Sequence, residues 1–248
     1  MAKVNESDER ILRKDCTTIS SYLQAVRDFV SLDNDNNKKY AYCFRGQAVL
    51  DWKLTPSLSR YPVLDDEDTV KRMYGEVLKN YPNEFYRKEI KDLDFNDLAK
   101  MQHYGIPTRL LDVSLNPLVA MFFATDVVEK QSQGVVYIFK VLIDPLSYTK
   151  KRFVFPENNT NDENECIMIQ TSYTNERIKQ QDGAFLYASK QEYFDNCDFR
   201  KVIIYNSSKK KIREELRGIN ISHTTLFPEL SEFHEYLKEA YNLEIPKK

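Results

Sequence analysis

Apolar residues fall into two periods along this chain, and the change from one to the other marks out its elements. Ile19, Tyr22, Leu23, Val26, Phe29 and Val30 recur at helical spacing and predict a helix capped by Thr18 or Ser20. Val70, Met73, Tyr74, Val77, Leu78 and Tyr81 predict a second, with the acidic run Asp65 to Asp68 complementing its N-terminal dipole. A short helix is expected over Glu84 to Ile90. Another, with Leu98, Ala99 and Met101 as its apolar side, is stopped by Gly105 and Pro107. Between these stretches the period drops to two. Tyr40, Tyr42 and Phe44 alternate with smaller residues, predicting a strand that ends at Arg45-Gly46. Thr108 to Val113 and Gly134 to Val141 read as buried strands. Between them Asn116 is the N-cap and Pro117 the first residue of a helix, LVAMFFA, that is apolar on every side and therefore buried.

The later chain reads as strands at Cys166 to Gln170, Ala184 to Tyr187 and Val202 to Tyr205. Pro156 to Glu165 is a polar loop. Asn175 caps a single turn, ERIKQQ, closed by Gly183. A helix over Ser208 to Arg217 is closed by Gly218, with Lys209 to Lys211 as a solvated face. A last helix runs from Pro228 to Tyr241. Helices dominate the first half and strands the second. The expected fold is α+β: a single domain over residues 17–248, its helical N-terminal half packed on a mixed or antiparallel split sheet, behind a flexible polar segment at residues 1–16.

Composition narrows the function classes. A net charge of −2 gives no global attraction to nucleic acid or anionic membrane. Four cysteines without a CxxC point to reduced thiols and a cytoplasmic setting. The opening MAKVNESDER lacks the apolar core of a secretory leader, and no apolar run is long enough for a membrane span. The six glycines are scattered, so neither a Rossmann nor a P-loop phosphate cradle is present. Three histidines without His or Cys partners at ligand spacing make a metal site unexpected.

Candidate chemistry centres on residues 96–125, where Gln102, His103, Arg109, Asp112, Ser114 and Asn116 lie between two apolar helices. Buried polar groups there need partners or a function, since leaving one unpaired costs about 1–3 kcal/mol. His103 reads as an acid/base or a half-buried hydrogen-bonder, and Arg109 with Asp112 as site residues or an ion pair. Arg45, where a strand meets a glycine, reads as a bidentate phosphate ligand or a surface arginine. The N-terminus of the helix starting at Pro117 is expected to face this cluster as an anion site.

The ordered motifs CFRGQ (Cys43 to Gln47), PSLSR (Pro56 to Arg60), QHYGIPTRLLDVSLNP, RIKQQDGAF (Arg177 to Phe185) and LFPEL (Leu226 to Leu230) resemble those of the FRG domain family. The chain departs from the family's usual pattern at Val113, where Trp is frequent, and at Ser114, where Thr is. The resemblance implies a layout similar to ADP-ribosyltransferases, which bind NAD without Rossmann glycines. It implies that Arg45 and Gly46 hold the dinucleotide, that Ser114 orders the nicotinamide side, and that Gln102, His103, Arg109, Asp112, Asn116 and Arg177 shape the site. Gln180 and Gln181 stand where a late acid is expected, with Glu165 or Glu176 as substitutes. The implied function is a NAD-consuming effector, as in a toxin or phage-defence protein, with NAD as substrate, a macromolecular target, an antitoxin or partner chain, and no metal. A nucleotide- or partner-binding module without catalysis is the alternative, and a hydrolase or nuclease using His103 and Asp112 a third.

Overall fold

The computed structural model describes residues 10–31, 40–126, 132–142, 166–172, 175–188, 191–195, 197–228 and 237. The expected loop at Pro156 to Glu165 lies outside these residues, as does the expected helix from Pro228 to Tyr241 apart from Pro228 and Leu237. Strands β1 (Ile11–Cys16), β2 (Tyr40–Gln47), β3 (Leu110–Ser114), β4 (Gly134–Leu142), β5 (Ile167–Ile169), β6 (Gly183–Tyr187) and β7 (Phe199–Ile204) form one sheet in the order β1-β7-β4-β2-β3-β6-β5. Every pairing is antiparallel except β1 with β7. The helices are α1 (Ile19–Ser31), α2 (Glu67–Asn80), α3 (Phe95–His103), α4 (Pro117–Ala124), α5 (Glu176–Gln180), α6 (Gln191–Asp195), α7 (Asn206–Gly218) and α8 (His223–Leu226). The expected α+β class is observed, with a mixed, mostly antiparallel sheet.

Two helical layers cover one face of the sheet. Phe44 of β2, Val136 and Ile138 of β4 and Val202 and Ile204 of β7 pack against α1, α4 and α7. Leu110 of β3, Ile169 of β5 and Phe185 of β6 pack against α2 and α3. Phe44 is the cross-strand partner of Ser114, and residues two apart on a strand share its face, so Ser114, Asp112 and Leu110 lie on the same side as Phe44. The alternate residues, among them Val135, Tyr137, Phe139, Leu111 and Leu186, build a third cluster on the opposite face. On the first face the two helical layers leave a gap where β2 meets β3.

Two glycines let α4 lie directly on the sheet. A Cβ on Gly46 would stand 1.8 Å from the Ala120 carbonyl oxygen, and one on Gly134 would stand 2.0 Å from that of Ala124. These positions need the absence of a side chain, not a left-handed backbone.

Several expectations need correction. Residues 11–16 are not a flexible segment; they form β1, whose alternation is obscured by Arg13 and Asp15. Glu84 to Ile90 is not helical: Tyr86 and Arg87 have positive φ, and the chain turns before a short 3-10 segment at Ile90–Asp92. Helix α5 is closed by Asp182, at φ 45°, not by Gly183, which opens β6. Likewise Asn220, at φ 65°, follows α7 in the left-handed region, while Gly218 stays helical. Lys209 is not solvated. It is buried, and its ammonium donates to the carbonyls of Ala48 (2.6 Å) and Asp126 (3.0 Å), tying β2's exit to α4's end.

Candidate functional site

Strands β2 and β3 pair only at Phe44 and Ser114. Beyond that point β2 continues along β4 as far as Gln47, and β3 runs with β6 back to Leu110. The strands therefore fork, and Arg45 stands in the fork. Its guanidinium donates to the Asp112 carbonyl and so supplies a link that the missing ladder does not. Its Nε is buried and has no hydrogen-bond partner among the described residues. Burial pulls the Arg45 guanidinium below its usual range, and the nearby Asp112 carboxylate opposes that shift.

A cavity of about 360 Å³ opens at the fork, walled by α3, α4, α5 and the ends of β2, β3 and β6. It gathers Arg45, Gly46, Gln102, His103, Asp112, Ser114, Arg177 and Gln181 from the sequence-based candidates. Phe44, Phe123 and Phe185 give it apolar walls, and Asn175 adds an amide. A smaller cavity, about 140 Å³, shares Arg45, Gln102 and Asp112 and is closed by the PSLSR segment.

Hydrogen bonds explain why these side chains stay in place. Gln102 accepts from the Thr108 hydroxyl and donates to Asp112 Oδ1 at 2.8 Å. Thr108 is held in turn by Ser57, whose Oγ accepts the Thr108 amide at 3.0 Å. The PSLSR and QHYGIPTRLLD motifs are thus one network, which links Asp112 to Ser57. Asn175 caps α5 by accepting the Ile178 amide, so its Nδ2 is the atom that faces His103 Nδ1 at 2.9 Å. That assigns Nδ1 as the acceptor of this bond and leaves Nε2 as the N–H donor of the ring. Ser114 Oγ donates to the Gln181 carbonyl at 2.7 Å and accepts the Asn116 amide at 3.0 Å. Gln181 Nε2 donates to the Leu226 carbonyl at 3.1 Å. Ser114 and Gln181 therefore bind β3, α5 and α8 together. Arg177 lies 4.6 Å over the Phe227 ring, which also meets Phe123 edge-on.

Three candidates lie outside the cavity. Gln180 is exposed on α5. Asn116 caps α4, accepting the Leu118 amide at 3.0 Å and donating to Asp182 at 3.1 Å. The cavity meets the flank of α4 at Ala120 and Phe123, not its N-terminus, so the expected helix-terminus anion site is not formed there. Arg109 also lies outside the cavity lining: it pairs with Glu67 on α2 in a largely buried bridge. Sequence spacing favoured Asp112 as its partner, but residues three apart on an extended chain point to opposite faces. Reasoning from sequence missed Asn175 in the cavity wall and Phe227 as the ring beneath Arg177. Both sit in the quoted late motifs or directly before them, and only the fold brings those motifs to β2.

The stability consequences of that pairing are measurable. Removing one partner of a largely buried bridge strands the other, so Arg109→Ala should cost about 3 kcal/mol. Asp112 is exposed, and Asp112→Ala should cost under about 1 kcal/mol. Urea melts of both variants test the assignment, and equal losses would refute it.

None of the four cysteines is joined in a disulfide, and no helix among the described residues is long and apolar enough to cross a membrane. A family model, the FRG domain, matches residues 40–133, from the start of β2 to the residue before β4. No curated protein and no solved structure matches the chain.

Proposed function

Residues 40–133 are an FRG domain, and on that premise we propose that the cavity at the β2–β3 fork binds NAD in an ADP-ribosyltransferase-like, NAD-consuming effector of the toxin or phage-defence kind. One observation carries this reading. Two guanidinium groups, a carboxylate and an imidazole from four separate elements line the same 360 Å³ cavity with three phenylalanines. That volume lies within the range of about 300–1,000 Å³ typical of small-molecule sites. Arg45 and Arg177 supply the forked donors that a pyrophosphate accepts. The phenylalanine walls suit the flat faces of a base or nicotinamide.

Transfer would break the bond between the ribose C1′ and the nicotinamide nitrogen, the pair leaving with nicotinamide. An acceptor oxygen or nitrogen would then attack C1′ and lose its proton. The positive charge developing on the ribose calls for an anion nearby. Asp112 supplies it, on β3 rather than on a later strand. Gln181 takes the position expected for a late acid and serves as a hydrogen-bonding wall. His103, with Nε2 as donor, orients a ribose hydroxyl or carbonyl.

A second reading, a nucleotide-binding module without transfer chemistry, is favoured by the bond between Asp112 and Gln102. Incubation with NAD labelled in the nicotinamide and in the adenylate separates the two. Nicotinamide release that is lost in Asp112→Asn supports transfer. A melting temperature raised by NAD with no release supports the binding module. Neither a shift nor release sinks both.

A further inference from the structure

A second cavity, about 570 Å³, lies between α7, the loop after it and α8, with Phe122 of α4 in its lining. Lys210, Arg213, Glu214 and Arg217 recur at three- and four-residue spacing, so they form one stripe of α7. The opposite stripe, Ile212 and Leu216, is in the core. Across from the charged stripe stand Asn220, Ser222, His223, Thr224 and Thr225. Three cations and one carboxylate therefore face a row of hydroxyl, amide and imidazole groups. Arg213 is fixed in place: its guanidinium lies 4.0 Å over the Phe122 ring and meets Asp126 at 3.1 Å. Lys210 and Arg217 are exposed.

We propose that this cavity is an anion site that takes a phosphate group of a ligand other than the one held at the β2–β3 fork. A phosphate offers several acceptor oxygens to these donors, and its charge offsets the cation left over once Asp126, paired with Arg213, and Glu214 are counted. The surroundings single the cavity out, since the whole chain carries a net charge of −2. One lining residue of each cavity packs on the ring of Phe227. His223 of the second stacks on its ring at 4.6 Å and 21°, and Arg177 of the first lies over the same ring. A phosphorylated acceptor held on α7 would thus approach the first cavity past Phe227. The binding proposal itself rests on the second cavity's own residues and does not depend on NAD turnover.

The probe is inorganic pyrophosphate, titrated by calorimetry into the full chain carrying Arg45→Ala, which weakens the first cavity. Binding should persist there, weaken tenfold or more on adding Lys210→Ala and Arg217→Ala, and fall with salt. Circular dichroism melts check that the variant remains folded; both side chains are exposed, so no loss is expected. Binding unchanged by the two α7 substitutions, or absent with Arg45→Ala alone, overturns the proposal. A short single-stranded oligonucleotide then identifies the source of the phosphate. If it binds and competes with pyrophosphate, the group comes from a nucleic-acid backbone. If only pyrophosphate binds, the group comes from a free nucleotide.

Discussion

Gly46→Ala should lower the melting temperature further than any other single glycine substitution in the described residues except Gly134→Ala. The added Cβ would lie 1.8 Å from the Ala120 oxygen and 2.7 Å from the Ala124 nitrogen, both backbone atoms. No rotamer can relieve such a contact, so α4 must shift off β2 and β4. That shift disturbs Phe44, Val119, Ala120 and Val136, all buried in one cluster. Overpacking costs about 1–3 kcal/mol when side chains can adjust, and we expect about 3 kcal/mol or more here, where they cannot. For a chain of this size that is a fall of roughly 6–12 °C. Two control substitutions separate crowding from conformation. Gly105→Ala has open space but a φ of 78°, and should cost about 1 kcal/mol through the left-handed backbone alone. Gly218→Ala has open space in a helix without positive φ, and should be neutral or stabilising by about 0.5 kcal/mol. A Gly46→Ala melt within 2 °C or so of the parent, by the same scaling, would mean that α4 slides on the sheet at little cost.

The legibility of the fold follows the physics of each segment. Helix α4 was readable because Asn116, Pro117 and seven apolar residues leave a buried helix as the one consistent state. Strand β4 was readable because GVVYIFKV is too apolar and β-branched for a surface element. Strand β1 was not, since Arg13 and Asp15 give an edge strand the composition of a polar tail, and its pairing with β7 joins residues far apart in sequence. Tyr86 and Arg87 broke the third expected helix through positive φ, which an apolar pattern does not report. At the site, the resemblance named most of the polar residues that line the cavity, although the family match covers 40–133 and Arg177 and Gln181 lie beyond it. What it could not give was the partner of each charge. Arg109 goes to Glu67 because strand geometry turns it away from Asp112. Ser114 and Gln181 hold each other through a hydroxyl and a backbone carbonyl, a bond invisible to side-chain pattern.

Arg45 is where fold and function are hardest to separate, and a pair of variants separates them. Arg45→Ala removes a charged donor from the Asp112 carbonyl and one of two cations from the cavity. Losing a hydrogen bond to a charged group costs about 1.5–3 kcal/mol, so a moderate loss of stability is expected, well short of unfolding. For NAD, the loss of a bidentate phosphate contact should weaken binding about 100-fold, which corresponds to roughly 2.7 kcal/mol. Arg45→Lys keeps the charge but replaces the fork by a single point donor on a flexible stem. The lysine cannot span both the Asp112 carbonyl and a phosphate, so it should recover part of the NAD affinity without recovering the stability. A purely structural arginine predicts the reverse: stability and binding would fall in proportion and rise together in the lysine variant. Gln180→Ala, at an exposed position outside the cavity, should leave both unchanged. Calorimetric titration of NAD beside urea melts of the three variants distinguishes these cases. Wild-type affinity in a folded Arg45→Ala would remove Arg45 from the binding site and leave it only the fork between β2 and β3.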